Sequence, residues 1–241
     1  MQRIILITGS ARGLGAATAQ ALARDGHRIA IHFRSSHREA EATSQLIKKS
    51  GGDCAIFQNA LGNLADGEKL VREVIAHFGN LDTLINNAGA FNQKKFDELT
   101  QEDWDNGLAS TAGAAFFATR AVLPWLRKSG SGRIINIGDS MSDRIGFVES
   151  GMSYYIGKVG LWMMTRTLAS TEAPHKITIN MVSPGVLENS TCKTPLEEMP
   201  AGKYGAFDDV IHPIRFLLEE NSAAVTGSNF HVGGGWNIAP A

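Results

Sequence analysis

RIILITGSARGLG, residues 3–15, runs from an apolar stretch of strand length through a glycine-rich turn into a helical stretch, LGAATAQALARDG. Thr8, Gly9, Gly13 and Gly15 stand at the handover from strand to helix. Residues this small let a ligand approach the backbone, and the amino end of a helix favours negative charge. A pyrophosphate needs both, so the segment has the context of a dinucleotide-binding turn, with the spacing GxxxGxG.

Outward from that turn the same alternation repeats. RIAIHF, CAIFQ, TLINN, RIINIG, TINMVSP and NFHVG are apolar runs of strand length. Between them, stretches such as HREAEATSQLIKKSGG and DGEKLVREVIAHFG carry helical spacing and end in glycine, as helix caps often do. Continuous apolarity marks strands buried on both faces, which is the pattern of a parallel sheet with crossover helices. The expected fold is therefore α/β: one Rossmann-type, doubly wound parallel sheet of about seven strands with helices on both faces.

The chain has 241 residues, 43% of them hydrophobic, enough for one large core, and no linker or repeat interrupts the alternation. One domain over residues 1–241 is expected. The weakly patterned stretch 187–206, LENSTCKTPLEEMPAGKYGA, is the place for a substrate lid. A net charge of −1 with no long run of like charges excludes a nucleic-acid or membrane-surface partner. Cys54 and Cys192 cannot form a disulfide framework, and no CxxC or HExxH spacing offers a metal site. With no long apolar span, and a strand almost at the start leaving no room for a signal peptide, the reducing cytoplasm fits best.

In SYYIGKVGLWMMTRTLA, Tyr154 and Lys158 are four residues apart, one turn of a helix, so phenol and ammonium share a face. A nearby cation favours the phenolate, the pairing a proton donor to a carbonyl or imine needs. A lone YxxxK is equally a solvated helix face. Here it joins the glycine turn and Asn86, Asn87, Ala88 and Gly89 after the fourth strand. Together these motifs resemble the short-chain dehydrogenase/reductase family, and the resemblance runs from Thr8 to the carboxy-terminal GGGWN.

The resemblance implies a cofactor site formed by Thr8, Gly9, Ser10, Arg12, Gly13, Leu14 and Gly15, by Phe33, Arg34, Ser35 and Ser36, by Leu61, by Asn87, Ala88 and Gly89, by Tyr154 and Lys158, and by Pro184, Gly185 and Val186. The second strand ends in Phe33 and Arg34 with no carboxylate for a ribose 2′-hydroxyl, and Arg12 and Arg34 fall where a 2′-phosphate would sit, so NADP(H) is the expected cofactor. The aspartate usual after the third strand is absent from Asn59, Ala60 and Leu61, which leaves adenine contacts to backbone. Asn189 stands where the family has a threonine, either as a substitute hydrogen-bonding group or as a lid residue.

By the same resemblance Tyr154 donates the proton while Lys158 holds the ribose and lowers the phenol's pKa. Tyr155 lacks the spacing and is expected to pack. Thr111 in WDNGLASTAGAAFF aligns with the family's asparagine of the fourth helix, and Asp139 with its serine, Ser140 or Ser142 filling that place in a slipped register. Aspartate there resembles pteridine reductases, as does Phe91 in NNAGAF, an aromatic on the pterin side. Against that branch, its arginine falls on Gly13. Phe91, Asp139, Tyr154 and Leu187 are the expected substrate contacts. The expected substrate of this reductase is a small molecule, a dihydropterin or dihydrofolate-like heterocycle. The alternatives are a 3-oxoacyl carrier-protein reductase or general carbonyl reductase, and a catalytically silent NADP(H)-binding scaffold. The family also implies a homotetramer, with a homodimer as the alternative, built through the long fourth and fifth helices and the carboxy-terminal segment.

Overall fold

Ile4–Ile7 (β1) is buried at all four positions, and its neighbours on either side are equally apolar, which is why no polar face interrupts the run. Burying each such isoleucine contributes roughly 1.5–3 kcal/mol. The computed structural model describes residues 1–144 and 146–236. After β1 come α1 (Gly13–Arg24), β2 (Arg28–Phe33), α2 (His37–Lys49), β3 (Asp53–Gln58), α3 (Leu64–Phe78) and β4 (Thr83–Asn86). The second half holds α4 (Gln101–Leu108), α5 (Ala114–Ser129), β5 (Arg133–Ile137), α6 (Met152–Glu172), β6 (Thr178–Pro184), α7 (Phe207–Leu218) and β7 (Asn229–Val232). All seven expected strands form.

They make one parallel sheet in the order β3-β2-β1-β4-β5-β6-β7. Residues of α1, α2 and α7 share one buried cluster with the sheet, and residues of α3, α5 and α6 share the cluster on its other face. The chain reverses direction of winding between β1 and β4, so a crevice opens beyond their carboxyl ends, where ligands of open α/β sheets bind.

The fourth helix differs from expectation. It is interrupted: a π-helical turn, Ala109–Gly113, separates α4 from α5. Thr111 lies in that turn, and its hydroxyl donates to the Gly107 carbonyl at 2.6 Å, competing with the regular ladder. Gly157 on α6 leaves the space that Thr111 fills. The carboxy-terminal segment is described through Trp236; Asn237, which ends the GGGWN match, lies outside the described residues.

Candidate active site

The glycine turn and the NNAG segment are stitched together. Thr8 Oγ1 accepts from the N–H groups of Asn87 and Ala88, each at 3.0 Å, and Asn87 Nδ2 donates to the Thr8 and Gly9 carbonyls, also at 3.0 Å. Gly9 (φ +64°) and Gly13 (φ +60°) adopt backbone that other residues rarely hold. At Gly15 a Cβ would meet Asn87 Nδ2 at 2.5 Å and the Gly9 carbonyl oxygen at 2.6 Å, so only glycine lets α1 start this close. No side chain caps that helix, and no acid lies in its first turn. The cradle fits a dinucleotide pyrophosphate.

Several expected cofactor residues act from beneath. Ser10 is buried with its hydroxyl donated to the Ile7 carbonyl at 2.7 Å, so its side chain serves the turn and does not face a ligand. Phe33 and Leu61 are also buried, leaving only their backbone at the rim. Arg12, Arg34 and Ser35 are exposed and Ser36 half-buried; Arg34 Nη1 donates to Asn106 Oδ1 at 3.3 Å. Val186, Gly185, Leu14 and Leu187 line a cavity of about 1200 Å³ over the carboxyl ends of the strands. Pro184 ends β6 beside Val232. Asn189 lines the same cavity, its Nδ2 3.8 Å from where a Cβ on Gly13 would be.

On α6, Tyr154 and Lys158 share a face, with Lys158 Nζ 5.4 Å from the Tyr154 ring centre. Both lie against Gly89: a Cβ there would be 3.5 Å from Tyr154 Cε2 and 3.6 Å from Lys158 Nζ. Lys158 Nζ donates to the Ile137 carbonyl at 2.6 Å, and burial lowers its pKa to about 8 against the opposing pull of Asp139. The expectation that Lys158 depresses the Tyr154 pKa is not met. Burial first, then the Asp139 charge and Tyr155, push the phenol well above its ordinary value. The Tyr154 phenol is therefore neutral at physiological pH.

Asp139 lines the cavity at the end of β5. Burial raises its pKa, opposed by the Met141 N–H at 3.0 Å, by Lys158 and by the Ser140 hydroxyl at 3.4 Å. Ser140 lines the cavity beside it. Ser142 does not: it is fully buried, with its Oγ accepting the Asp139 N–H at 2.7 Å, which removes it as the functional group of a slipped register. Thr111, aligned with the family's asparagine, is buried in the π-helical turn. Its hydroxyl proton goes to the Gly107 carbonyl. Phe91 packs edge-on to Tyr154 at 5.3 Å between ring centres, and Tyr155, expected only to pack, does so against both rings and also lines the cavity.

Two supports escaped the sequence reading. Asn86 Nδ2 donates to Asn136 Oδ1 at 2.8 Å, and Asn136 Nδ2 to Thr165 Oγ1 at 2.8 Å, a buried polar ladder tying β4, β5 and α6 beneath the pair. The other is His32, whose ring lies under the glycine turn. Each partner is far away in sequence; only the assembled sheet brings them together.

The sequence model of the short chain dehydrogenase family matches residues 3–200. The chain belongs to this family. Its short-chain dehydrogenase relatives include a 3-oxoacyl-[acyl-carrier-protein] reductase of Synechocystis, 32% identical over 97% of this chain and 96% of its own. A 3-oxoacyl-[acyl-carrier-protein] reductase FabG of Aggregatibacter actinomycetemcomitans is 34% identical over 98% of this chain and 99% of its own. The structure of an acetoin dehydrogenase of Salmonella typhimurium superposes with a TM-score of 0.89 at 26% identity, covering 100% of this chain and 99% of that one. This short-chain dehydrogenase is thus an oxidoreductase whose fold binds a nicotinamide cofactor. Among the described residues no helix is long and apolar enough to cross a membrane, and no cluster of His, Cys, Asp and Glu could hold a metal.

Proposed function

We propose that the whole chain is one NADPH-dependent carbonyl reductase of the cytoplasm, with residues 187–206 as its substrate lid and a 3-oxoacyl thioester as the substrate class. The observation that carries this reading is the Tyr154 and Lys158 pair on one face of α6, packed against Gly89, with Tyr154 lining the cavity. The names of its curated relatives supply the thioester. When bound, the dihydronicotinamide supplies the hydride. Tyr154 holds the carbonyl oxygen and gives it a proton, Lys158 holds the ribose hydroxyls, and Phe91 and Leu187 wall the cavity against water.

The choice of NADPH rests on Arg12 and Arg34, both exposed at the rim, and on the lack of a carboxylate at the end of β2. Each charge-assisted contact to a phosphate is worth roughly 1.5–3 kcal/mol, so NADPH should bind more than tenfold tighter than NADH. Arg34→Asp should reverse the order. Equal affinities in calorimetric titrations of the unmodified protein would refute the 2′-phosphate site.

Asp139 favours a second reading. A cavity carboxyl with a raised pKa can carry a proton to a ring nitrogen, which suits a dihydropterin, although no relative reported above is named for such a substrate. Under the thioester reading, Asp139→Ser keeps or raises 3-oxoacyl reduction, because a hydroxyl replaces a carboxylate near the developing oxyanion. An unmodified enzyme that reduces dihydropterin far faster than the thioester, increasingly so at lower pH, and loses that activity in Asp139→Ser would move the assignment to the pterin. Retention of Tyr154 and Lys158 argues against a silent scaffold. Exposed Phe116, Ile156 and Met163 on α5 and α6 support a homotetramer built through these helices.

A further inference from the structure

His32 is a buried histidine near the carboxyl end of β2, directly beneath the glycine turn. Its Nδ1 accepts the N–H of Gly9 at 3.2 Å, and its Nε2 faces the carbonyl oxygen of Asn59 at 3.0 Å. A ring nitrogen that accepts and another that meets an acceptor define one species: the neutral imidazole with its proton on Nε2. The His32 backbone joins the same turn, its N–H donated to Ser10 Oγ at 3.1 Å and its carbonyl accepting the Ser10 N–H at 2.9 Å.

Asn59 is itself a turn-former. Its Oδ1 accepts the N–H of Leu61 at 2.8 Å, where the backbone takes the unusual φ of +50°, and its Nδ2 donates to the Asp66 carbonyl at 3.0 Å. One imidazole therefore spans the Gly9 turn and the Asn59–Leu61 turn. We propose that His32 is a positioning residue for the cofactor: it ties the Gly9 turn to the Asn59–Leu61 turn and so sets the spacing of the two walls of the adenosine and pyrophosphate cradle. The proposal rests on the reading of residues 8–15 as that cradle.

The surroundings keep the ring in this form. Burial is the main cause of a pKa lowered to about 4, and the Asn59 carbonyl opposes it. No neighbouring charge contributes to the shift: the carboxylate of Asp66 on α3 is turned to the Gly62 N–H at 3.0 Å, and Arg12 and Arg34 on the flanking turns are exposed. A folded pKa below the free value of about 6.5 means that the ring's contribution is complete above that pH and is lost as pH falls through about 4. Across the physiological range His32 is a fixed strut.

The test is NADP⁺ binding by calorimetry, with thermal melting and steady-state kinetics, on the full chain and on His32→Leu and His32→Gln. Leucine removes acceptor and donor together, whereas glutamine keeps one of each on a planar group. Losing the two bonds should weaken NADP⁺ binding roughly tenfold in the leucine variant, with kcat at saturating cofactor changed by no more than about twofold, and glutamine should recover most of the loss. A folded leucine variant with unchanged affinity, or a loss confined to kcat, overturns the proposal. Should His32→Leu not fold, nitrogen NMR of the unmodified ring decides: a persistent Nε2–H tautomer titrating far below 6.5 supports it, and a ring protonated on Nδ1 or titrating near 6.5 overturns it. An unmodified chain that binds neither NADP⁺ nor NAD⁺ would instead remove the cradle reading itself.

Discussion

Tyr154→Phe folds, binds NADPH as the unmodified protein does and loses turnover by about 10³-fold, within the range that a positioned proton donor contributes. Folding is spared because, among the described residues, the Tyr154 hydroxyl has no protein hydrogen-bond partner, so its removal orphans nothing. The ring contacts with Phe91 and Tyr155 survive in phenylalanine. Turnover is lost because phenylalanine has no proton to give at the place where the proposed reaction takes one from Tyr154. Tyr155→Phe provides the contrast. It keeps most of its turnover, with any change falling on substrate KM, because Tyr155 lines the cavity one residue out of register with Lys158.

Gly15→Ala has the second large effect. The added methyl would fall 2.5 Å from Asn87 Nδ2, 2.6 Å from the Gly9 carbonyl oxygen and 2.9 Å from Ser10 Cα. Two of these three belong to the backbone of the glycine turn and cannot rotate away. Either α1 moves out or the turn deforms, at an overpacking cost of roughly 1–3 kcal/mol, and the clamp from Asn87 to Thr8 and Gly9 is strained with it. The expected result is a lower melting temperature together with a loss of NADPH affinity of at least about a hundredfold, two or more charge-assisted contacts being misplaced at once. Calorimetry that finds parental affinity in a folded Gly15→Ala would show that the cofactor does not rest on this turn.

What the sequence made legible was local. The strands announced themselves because IILI, RIINI and TINMVSP are buried on both faces and so carry no polar alternation to confuse them with loops. The glycine turn and the Tyr154 to Lys158 spacing were legible for the same reason, since each is complete within a few residues. The remainder depends on partners distant in the chain. That Thr8 clamps Asn87 and Ala88, or that His32 reaches Asn59, follows only once β1, β2 and β4 lie side by side. Ser142 and Asp139 look interchangeable as a string, yet the backbone turn after β5 directs one hydroxyl to the Asp139 N–H and leaves the carboxyl facing the cavity. The sense of the Tyr154 pKa is likewise not readable from spacing. Four residues on a helix bring Lys158 near the ring, but its ammonium is turned to the Ile137 carbonyl, and burial decides the outcome.

Rapid mixing of the NADPH-loaded protein with a 3-oxoacyl thioester tests whether Tyr154 is the proton donor of an NADPH-dependent reductase. The unmodified protein should consume one NADPH per site in a single phase, and Tyr154→Phe, loaded to the same degree, should show almost none over the same interval. Equal rates in the two proteins, or no NADPH consumed by the unmodified protein despite full loading, would contradict it.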